Sequence, residues 1–154
     1  MNHVAVVMAG GVGARLWPRS RERQPKQFTH LLGDGPMIQN TISVLKNVFE
    51  LQNIFIVTSD SMLQLVREQL PEIPVENIIT EPFGRNTAPC IALASSHICA
   101  RYDGETVMAV FPSDHFITSV GEFLQCVRIG CSAAAEIGDI ITLGVQPTRP
   151  EAAF

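Results

Sequence analysis

Hydrophobic and polar residues follow two patterns along this chain, one typical of buried strands and one typical of helices. Five short apolar runs rich in Val, Ile and Phe predict β-strands at residues 4–8, 54–58, 77–80, 106–111 and 140–145. Between these runs, near-helical spacing of apolar residues predicts helices at residues 37–49, 60–70, 88–102 and 123–136. Strands that alternate with amphipathic helices predict an α/β fold, in which helices cover both faces of a largely parallel sheet.

The most polar loops each follow a predicted strand directly. They span residues 9–28, 81–87 and 112–115, and each is marked by glycine or proline. In open parallel sheets, ligands bind beyond the carboxyl ends of the strands, near the point where the strand order switches. We therefore expect these three loops to converge on one binding site.

The first loop has the composition of a phosphate-binding loop. It carries Gly10, Gly11 and Gly13, with Arg15 close behind and Lys26 further along. Glycines let a backbone approach a ligand and expose its N–H groups, and the two cations can neutralise phosphate charge. The loop fits neither the Walker A nor the dinucleotide-binding pattern. A tight structural turn is the alternative interpretation, but glycines together with two cations favour a polyphosphate site.

The loop after the fourth strand offers a metal ligand. Asp114 follows the strand in a Pro-Ser-Asp-His turn. A carboxylate there could hold Mg²⁺ against nucleotide phosphates, since Mg²⁺ takes few protein ligands and completes its shell with waters and phosphates. Alternatively, Asp114 only caps the turn. We expect His115 to play a supporting role and not to bind metal.

The loop at residues 81–87 carries side chains able to read a base or a ribose. These are Glu81, Arg85, Asn86 and Thr87. The composition of the loop does not distinguish guanine from other bases. Asn86 or Thr87 could also cap the following helix, and capping is compatible with ligand binding.

Length and composition limit the class of protein. A chain of 154 residues is typical of a single domain, here residues 1–154, and a net charge of −4 argues against nucleic-acid binding through a basic surface. The four cysteines form no CxxC pair, which favours free, buried thiols. The sequence starts with no signal-peptide pattern and contains no apolar run of membrane-spanning length. We therefore expect a cytoplasmic protein with no membrane partner.

Four segments in order strongly resemble the mannose-1-phosphate guanylyltransferase family: GGVGARLWPRSRERQPKQF, EPFGRNTAPCIALA, FPSDH and TLGVQPTRPE. The resemblance implies a Rossmann-like three-layer sandwich of the sugar nucleotidyltransferase type. It implies the reaction of GTP with mannose 1-phosphate to give GDP-mannose and pyrophosphate, with Mg²⁺ as cofactor. It further implies that Arg15 contacts the departing pyrophosphate, Lys26 the α-phosphate, and that Asp114 holds the metal. The GTP-binding residues it implies are Ala9, Gly10, Gly11, Gly13, Arg15, Lys26, Glu81, Arg85, Asn86, Thr87 and Ser113.

Members of that family are longer than this chain, so the resemblance implies an amino-terminal portion that carries the GTP-binding half. We then expect an incomplete sheet with an unpaired edge at the fourth or fifth strand, through which the chain could form a homodimer. We also expect little or no GDP-mannose formation by the chain alone. Two alternatives stay open: a nucleotidyltransferase for another sugar phosphate, or a nucleotide-binding module without turnover.

Overall fold

A parallel four-stranded sheet forms the centre of the computed structural model, which describes residues 2–11, 25–30, 35–84, 86–102 and 104–146. The strands are β1 (His3–Met8), β2 (Ile54–Ser59), β3 (Ile78–Glu81) and β4 (Val107–Pro112). All neighbouring strands pair in parallel, in the order β3-β2-β1-β4. The predicted α/β class is confirmed. Gly13, Arg15 and Arg85 lie outside the described residues.

Four helices connect or follow the strands: α1 (Met37–Leu45), α2 (Leu63–Gln69), α3 (Thr87–Arg101) and α4 (Val120–Ile137). Short 3-10 turns lie at Lys26–Phe28, Leu51–Asn53, Asp60–Met62 and Val75–Asn77. The helix α1 ends earlier than predicted. The side-chain amide of Asn47 donates to the carbonyls of Ser43 and Val44, at 3.0 and 2.9 Å, and the backbone N–H of Asn47 donates to the carbonyl of Val44 at 3.2 Å. These bonds close the end of the helix at this residue. In the described part of the chain, no helix has the length and apolar character needed to cross a membrane.

The alternation of side chains along β1 builds the two faces of the core. Ala5 and Val7 pack in one cluster with buried residues of α1, α2 and α4. Val4 and Val6 point to the other face and pack with Cys90, Ala94 and Ile98 of α3. Because both faces of the central strand are covered, its sequence is continuously apolar, as expected for a buried parallel strand. The predicted three-layer arrangement is confirmed.

The predicted fifth strand is wrong. Residues 140–146 form no strand, and Ile140 is 93% exposed and Val145 89% exposed. A strand needs a neighbouring backbone to pair with, and the described residues place none beside this segment. Leu143 instead lies over α4, where its Cδ2 would be 3.3 Å from a Cβ added at Gly130. Apolar, β-branched residues therefore predicted a strand that tertiary pairing does not provide.

The order of the strands places a switch point between β1 and β4. From β1 the chain runs outward through β2 to β3, then returns across the sheet to form β4 on the other side of β1. Within the described residues, β4 pairs only with β1, so its second edge is free, as predicted. Pro112 is tolerated at the end of this edge strand because its missing N–H costs no bond within the sheet.

Candidate functional site

The loops after β1 and β4 begin side by side at the switch point. The N–H of Ala9 donates to the carbonyl of Val57 at 2.7 Å, which extends the β1–β2 pairing one step beyond the strand. The N–H of Ser113 donates to the carbonyl of Met8 at 3.2 Å. Both loops therefore leave the sheet from backbone positions that are held by hydrogen bonds. Ala9 and Ser113, which the sequence suggested as GTP-binding residues, are both buried at these positions.

The glycine loop comes into contact with the loop after β3. A Cβ added at Gly10 would lie 3.1 Å from the Oε2 atom of Glu81, closer than side chains normally approach. Gly11 is exposed and has open space where a Cβ would be. A side chain at Gly10 would thus press on the Glu81 carboxyl group. The first two predicted loops meet at this point.

An ion pair between Lys26 and Asp114 joins the loop after β1 to the loop after β4. The Nζ atom of Lys26 contacts the Oδ2 atom of Asp114. The side chain of Lys26 is 33% exposed and that of Asp114 is 20% exposed, so both groups are partly desolvated but reachable from solvent. Two residues 88 positions apart, chosen from the sequence for phosphate and metal chemistry, are in direct contact.

Gln27 is a site residue that the sequence interpretation did not single out. It is 2% exposed, and its side-chain Nε2 donates to the carbonyls of Ala9 and Gly11, both at 2.9 Å. The carbonyl of Ala9 also accepts a bond from the Oγ1 of Thr58 at 3.3 Å. The available signal was the position of Gln27 directly after the predicted phosphate ligand Lys26. Composition could not show that its amide reaches back to the glycine loop.

Thr41 on α1 holds the turn that carries Asp114. Its buried hydroxyl lies 3.0 Å from the carbonyl of Met37 and 3.4 Å from the carbonyl of Ser113. The second contact links α1 to the residue that precedes Asp114. This helix thereby helps to fix where the carboxylate stands.

Glu81 supplies a buried carboxyl group at the carboxyl end of β3. It is 6% exposed, and this burial raises its pKa. Burial also raises the pKa of the Cys90 thiol to about 11, with a further contribution from the negative charge of Glu81. A thiol with so high a pKa stays protonated near neutral pH, so Cys90 is unsuited to nucleophilic chemistry. Glu81, in contrast, is suited to accept hydrogen bonds from a ligand.

The rest of that loop is exposed. Asn86 and Thr87 are both exposed at the start of α3. Asn86 occupies the N-cap position but makes no side-chain capping bond, so the capping alternative does not hold for it. Its backbone has a φ of 67° and a ψ of −167°, a conformation that is strained for any residue with a side chain. The amide of Asn86 is thus not engaged in capping.

The described residues suit Mg²⁺, which needs few protein ligands, better than a metal ion that is held by several side chains. Among them, no three His, Cys, Asp or Glu side chains come together as a metal-binding group. Asp114 offers the carboxylate oxygens that Mg²⁺ prefers, and Mg²⁺ fills most of its shell with water and phosphate oxygens. Partial burial lowers the pKa of His115, and the nearby Lys26 ammonium lowers it further. His115 is therefore neutral near physiological pH.

The fold is a three-layer α/β domain, and its polar loops meet at the switch point of the sheet. A model of the nucleotidyl transferase family matches residues 4–154, and the chain belongs to this family. Its sequence relatives include mannose-1-phosphate guanylyltransferases. The mannose-1-phosphate guanylyltransferase of Sinorhizobium fredii is 37% identical over 98% of this chain, and that of Escherichia coli K12 is 42% identical over 97%.

These relatives are much longer than the chain, which spans 30% of the first and 31% of the second. A solved structure described as mannose-1-phosphate geranyltransferase from Thermus thermophilus superposes with a TM-score of 0.77 at 28% identity. The superposition covers 88% of this chain and 39% of that one. The chain therefore resembles the amino-terminal part of the guanylyltransferases, and the matched part includes all three polar loops.

Proposed function

We propose that this chain carries the GTP-binding half of a mannose-1-phosphate guanylyltransferase, which transfers GMP from GTP to mannose 1-phosphate. The observation that carries the proposal is the contact of Lys26 with Asp114 beside the glycine loop, at the switch point of the sheet. A cation and a carboxylate at the end of the sheet from which the glycine loop leaves suit a nucleoside triphosphate bound with a divalent metal. The guanylyltransferase relatives support the choice of GTP and mannose 1-phosphate.

In this reaction, a phosphate oxygen of the sugar phosphate attacks the α-phosphorus of GTP. The new O–P bond forms while the bond to the β-phosphate oxygen breaks, and pyrophosphate leaves with the electron pair of that bond. The protein needs no covalent intermediate, so its contribution is orientation and stabilisation of negative charge. We assign Lys26 to the α-phosphate, Gly10, Gly11 and Gly13 to the loop that binds the nucleotide, and Arg15 to the departing pyrophosphate.

Asp114 is the proposed ligand of Mg²⁺. When bound, the metal would neutralise phosphate charge and favour departure of pyrophosphate. In the structure Lys26 neutralises this carboxylate, and the ammonium and the metal are alternative partners for it. We therefore propose an exchange on nucleotide binding, in which Lys26 turns from Asp114 to a phosphate and the carboxylate becomes available to the metal.

Glu81 is the proposed acceptor for the donor edge of guanine, with Arg85, Asn86 and Thr87 along the same loop. Two observations support this role: the Glu81 carboxyl group is buried, and it adjoins the glycine loop at Gly10. A buried carboxyl that hydrogen-bonds a ligand also discriminates strongly against ligands that lack the matching donors. ATP, which presents no such donor pair, should bind more weakly than GTP.

Titration calorimetry with and without Mg²⁺ tests the proposal. The chain should bind GTP more tightly than ATP, UTP or dTTP, and Lys26→Ala and Arg15→Ala should weaken the binding. Lys46→Ala, which removes an exposed cation at the end of α1, is the matched control and should leave the affinity unchanged. Absence of triphosphate binding would overturn the proposal, and equal affinity for the four nucleotides would overturn the choice of GTP.

Pyrophosphate release with mannose 1-phosphate then distinguishes a working enzyme from a binding module. We expect little or no turnover by the 154-residue chain, since it spans about three tenths of the guanylyltransferases it resembles. Turnover with another sugar phosphate in place of mannose 1-phosphate would support the alternative substrate.

A further proposal concerns the oligomeric state. The free edge of β4 pairs with a second copy, and light scattering on the purified chain should then report a dimer that a Pro substitution within β4 disrupts.

A last proposal concerns the location of the protein in the cell. All four cysteines are free thiols, which supports a reducing compartment such as the cytoplasm. Fractionation of cells that express the full natural chain would test this location.

A further inference from the structure

The side chain of Gln27 bridges two backbone positions of the glycine loop. Its Nε2 group has two hydrogens, and both are used, one on the carbonyl of Ala9 and one on that of Gly11. At 2% exposure the amide is shielded from water, so loss of these bonds would leave polar groups without partners. A buried amide that spans two residues in this way restricts the backbone between them.

This bridge sets the direction of the loop's own donors. In a trans peptide the C=O and the following N–H point in opposite directions. Because the carbonyl of Ala9 is directed at Gln27, the N–H of Gly10 is directed away from it. Within the described residues, neither Gly10 nor Gly11 donates its N–H to another backbone group. The bridge therefore holds the Gly10 N–H in a defined orientation and leaves it available to a ligand.

The same residue also places the cation proposed to bind phosphate. Gln27 follows Lys26 directly, and both belong to the 3-10 turn Lys26–Phe28. Two hydrogen bonds close the turn. The N–H of Phe28 donates to the carbonyl of Pro25 at 3.0 Å, and the hydroxyl of Thr29 donates to the carbonyl of Lys26 at 2.7 Å. Because Gln27 belongs to this turn and also binds the glycine loop, a shift of the turn relative to the loop would break those bonds. The position of the Lys26 backbone is thus coupled to the loop carbonyls.

We propose that Gln27 is a positioning residue that holds the glycine loop and Lys26 in register for a triphosphate. The inference rests on the proposed nucleotide site. Gln27 touches neither the ligand nor the reacting atoms in this role, and it acts through the Gly10 amide and the neighbouring ammonium. Its removal should therefore weaken phosphate binding more than base binding.

The test compares Gln27→Leu, which removes both donors, with Gln27→Glu, which keeps the shape but replaces the donors with acceptors. Gln39→Leu is the matched control, because the Gln39 amide also donates to a backbone carbonyl, that of Gln69 at 2.8 Å, between α1 and α2. Binding of GTP, inorganic tripolyphosphate and guanosine is measured at a temperature where circular dichroism shows each variant folded. For GTP and tripolyphosphate we expect dissociation constants raised about tenfold in both Gln27 variants and unchanged in the control. The guanosine constant should stay unchanged throughout.

The outcomes separate this inference from the proposed function. If the wild-type chain binds no GTP, the proposed function fails first. If it binds GTP and the folded Gln27 variants bind tripolyphosphate as well as wild type does, the positioning role is wrong. An equal loss for guanosine, or in Gln39→Leu, would indicate general destabilisation and would also overturn it.

A measurement on the wild-type chain covers the case in which the variants do not fold. In an amide NMR spectrum the two Gln27 side-chain protons should be resolved and slow to exchange with water, since both are buried and bonded. The Gly10 amide signal should shift when tripolyphosphate is added. Rapid exchange of the Gln27 amide would show that the bridge does not persist in solution.

Discussion

The contact between Lys26 and Asp114 provides the most direct test of how the site works. We consider three variants, Lys26→Met, Asp114→Asn and the double variant, each of which removes charge while it keeps most of the side-chain volume. Together with the wild type they form a double-mutant cycle, which isolates the coupling between the two side chains from their other contacts.

The size of the coupling follows from the exposure of the two groups. Fully exposed ion pairs contribute about 0.2–1 kcal/mol, and hydrogen bonds to charged groups contribute about 1.5–3 kcal/mol. With side chains 33% and 20% exposed, Lys26 and Asp114 lie between these cases, and solvent screening reduces the larger figure. We therefore expect a coupling of about 1 kcal/mol in the ligand-free chain at low ionic strength, and a smaller value in about 0.5 M salt.

Urea unfolding of the four proteins, with and without saturating Mg²⁺ and GTP, measures this coupling in both states. If Lys26 moves to a phosphate and Asp114 to the metal, the coupling between them should fall well below its ligand-free value. Lys46→Met, which removes a distant exposed cation, controls for the change in net charge. A coupling near zero without ligand would show that the pair does not form in solution. A coupling that is undiminished with nucleotide would refute the proposed exchange.

Three further predictions concern buried groups. Because burial raises the pKa of Glu81, the stability that this carboxyl contributes is present at low pH and is lost as the pH rises through its folded pKa. Glu81→Gln should therefore unfold at a higher temperature than wild type at pH 8, and the difference in melting temperature should shrink towards pH 5. The same variant should bind GTP more weakly. Equal melting temperatures at pH 8 would contradict the effect on stability. Asn77→Ala should lower the free energy of unfolding by about 2–4 kcal/mol in urea titrations, because a fully buried amide loses bonds to two carbonyls and to the guanidinium of Arg101. Its affinity for GTP should be unchanged, since Asn77 lies at the amino end of β3, opposite the site. Ellman's reagent should modify two thiols quickly in the folded chain and the other two only after unfolding; the exposed pair is Cys99 and Cys126, and the buried pair is Cys90 and Cys131. Four thiols that react at one rate in the folded chain would contradict the burial.

Local patterns predicted the elements whose stability depends on their own residues and on burial. The four strands and four helices of the sheet and its layers were all expected, with ends displaced by a few positions. Those displacements have local causes, such as the side chain of Asn47 at the end of α1, that hydrophobic spacing does not register. The segment at residues 140–145 shows the limit: its composition suits a strand, but pairing depends on a neighbour elsewhere in the chain.

The sequence alone indicated the chemistry that we propose for the site, because residue types suggest it: glycines for close backbone approach, cations for phosphate and a carboxylate for metal. It also determined the family, through four motifs in order. Only the tertiary structure decided which residues act together. The strand order brings Lys26 to Asp114 and turns Glu81 against Gly10, and a buried amide at Gln27 joins the glycine loop to the lysine. These contacts join residues that are far apart in the sequence, and each of them depends on the direction in which a side chain points. The packing of the whole sheet decides both the approach of the residues and the direction of the side chains.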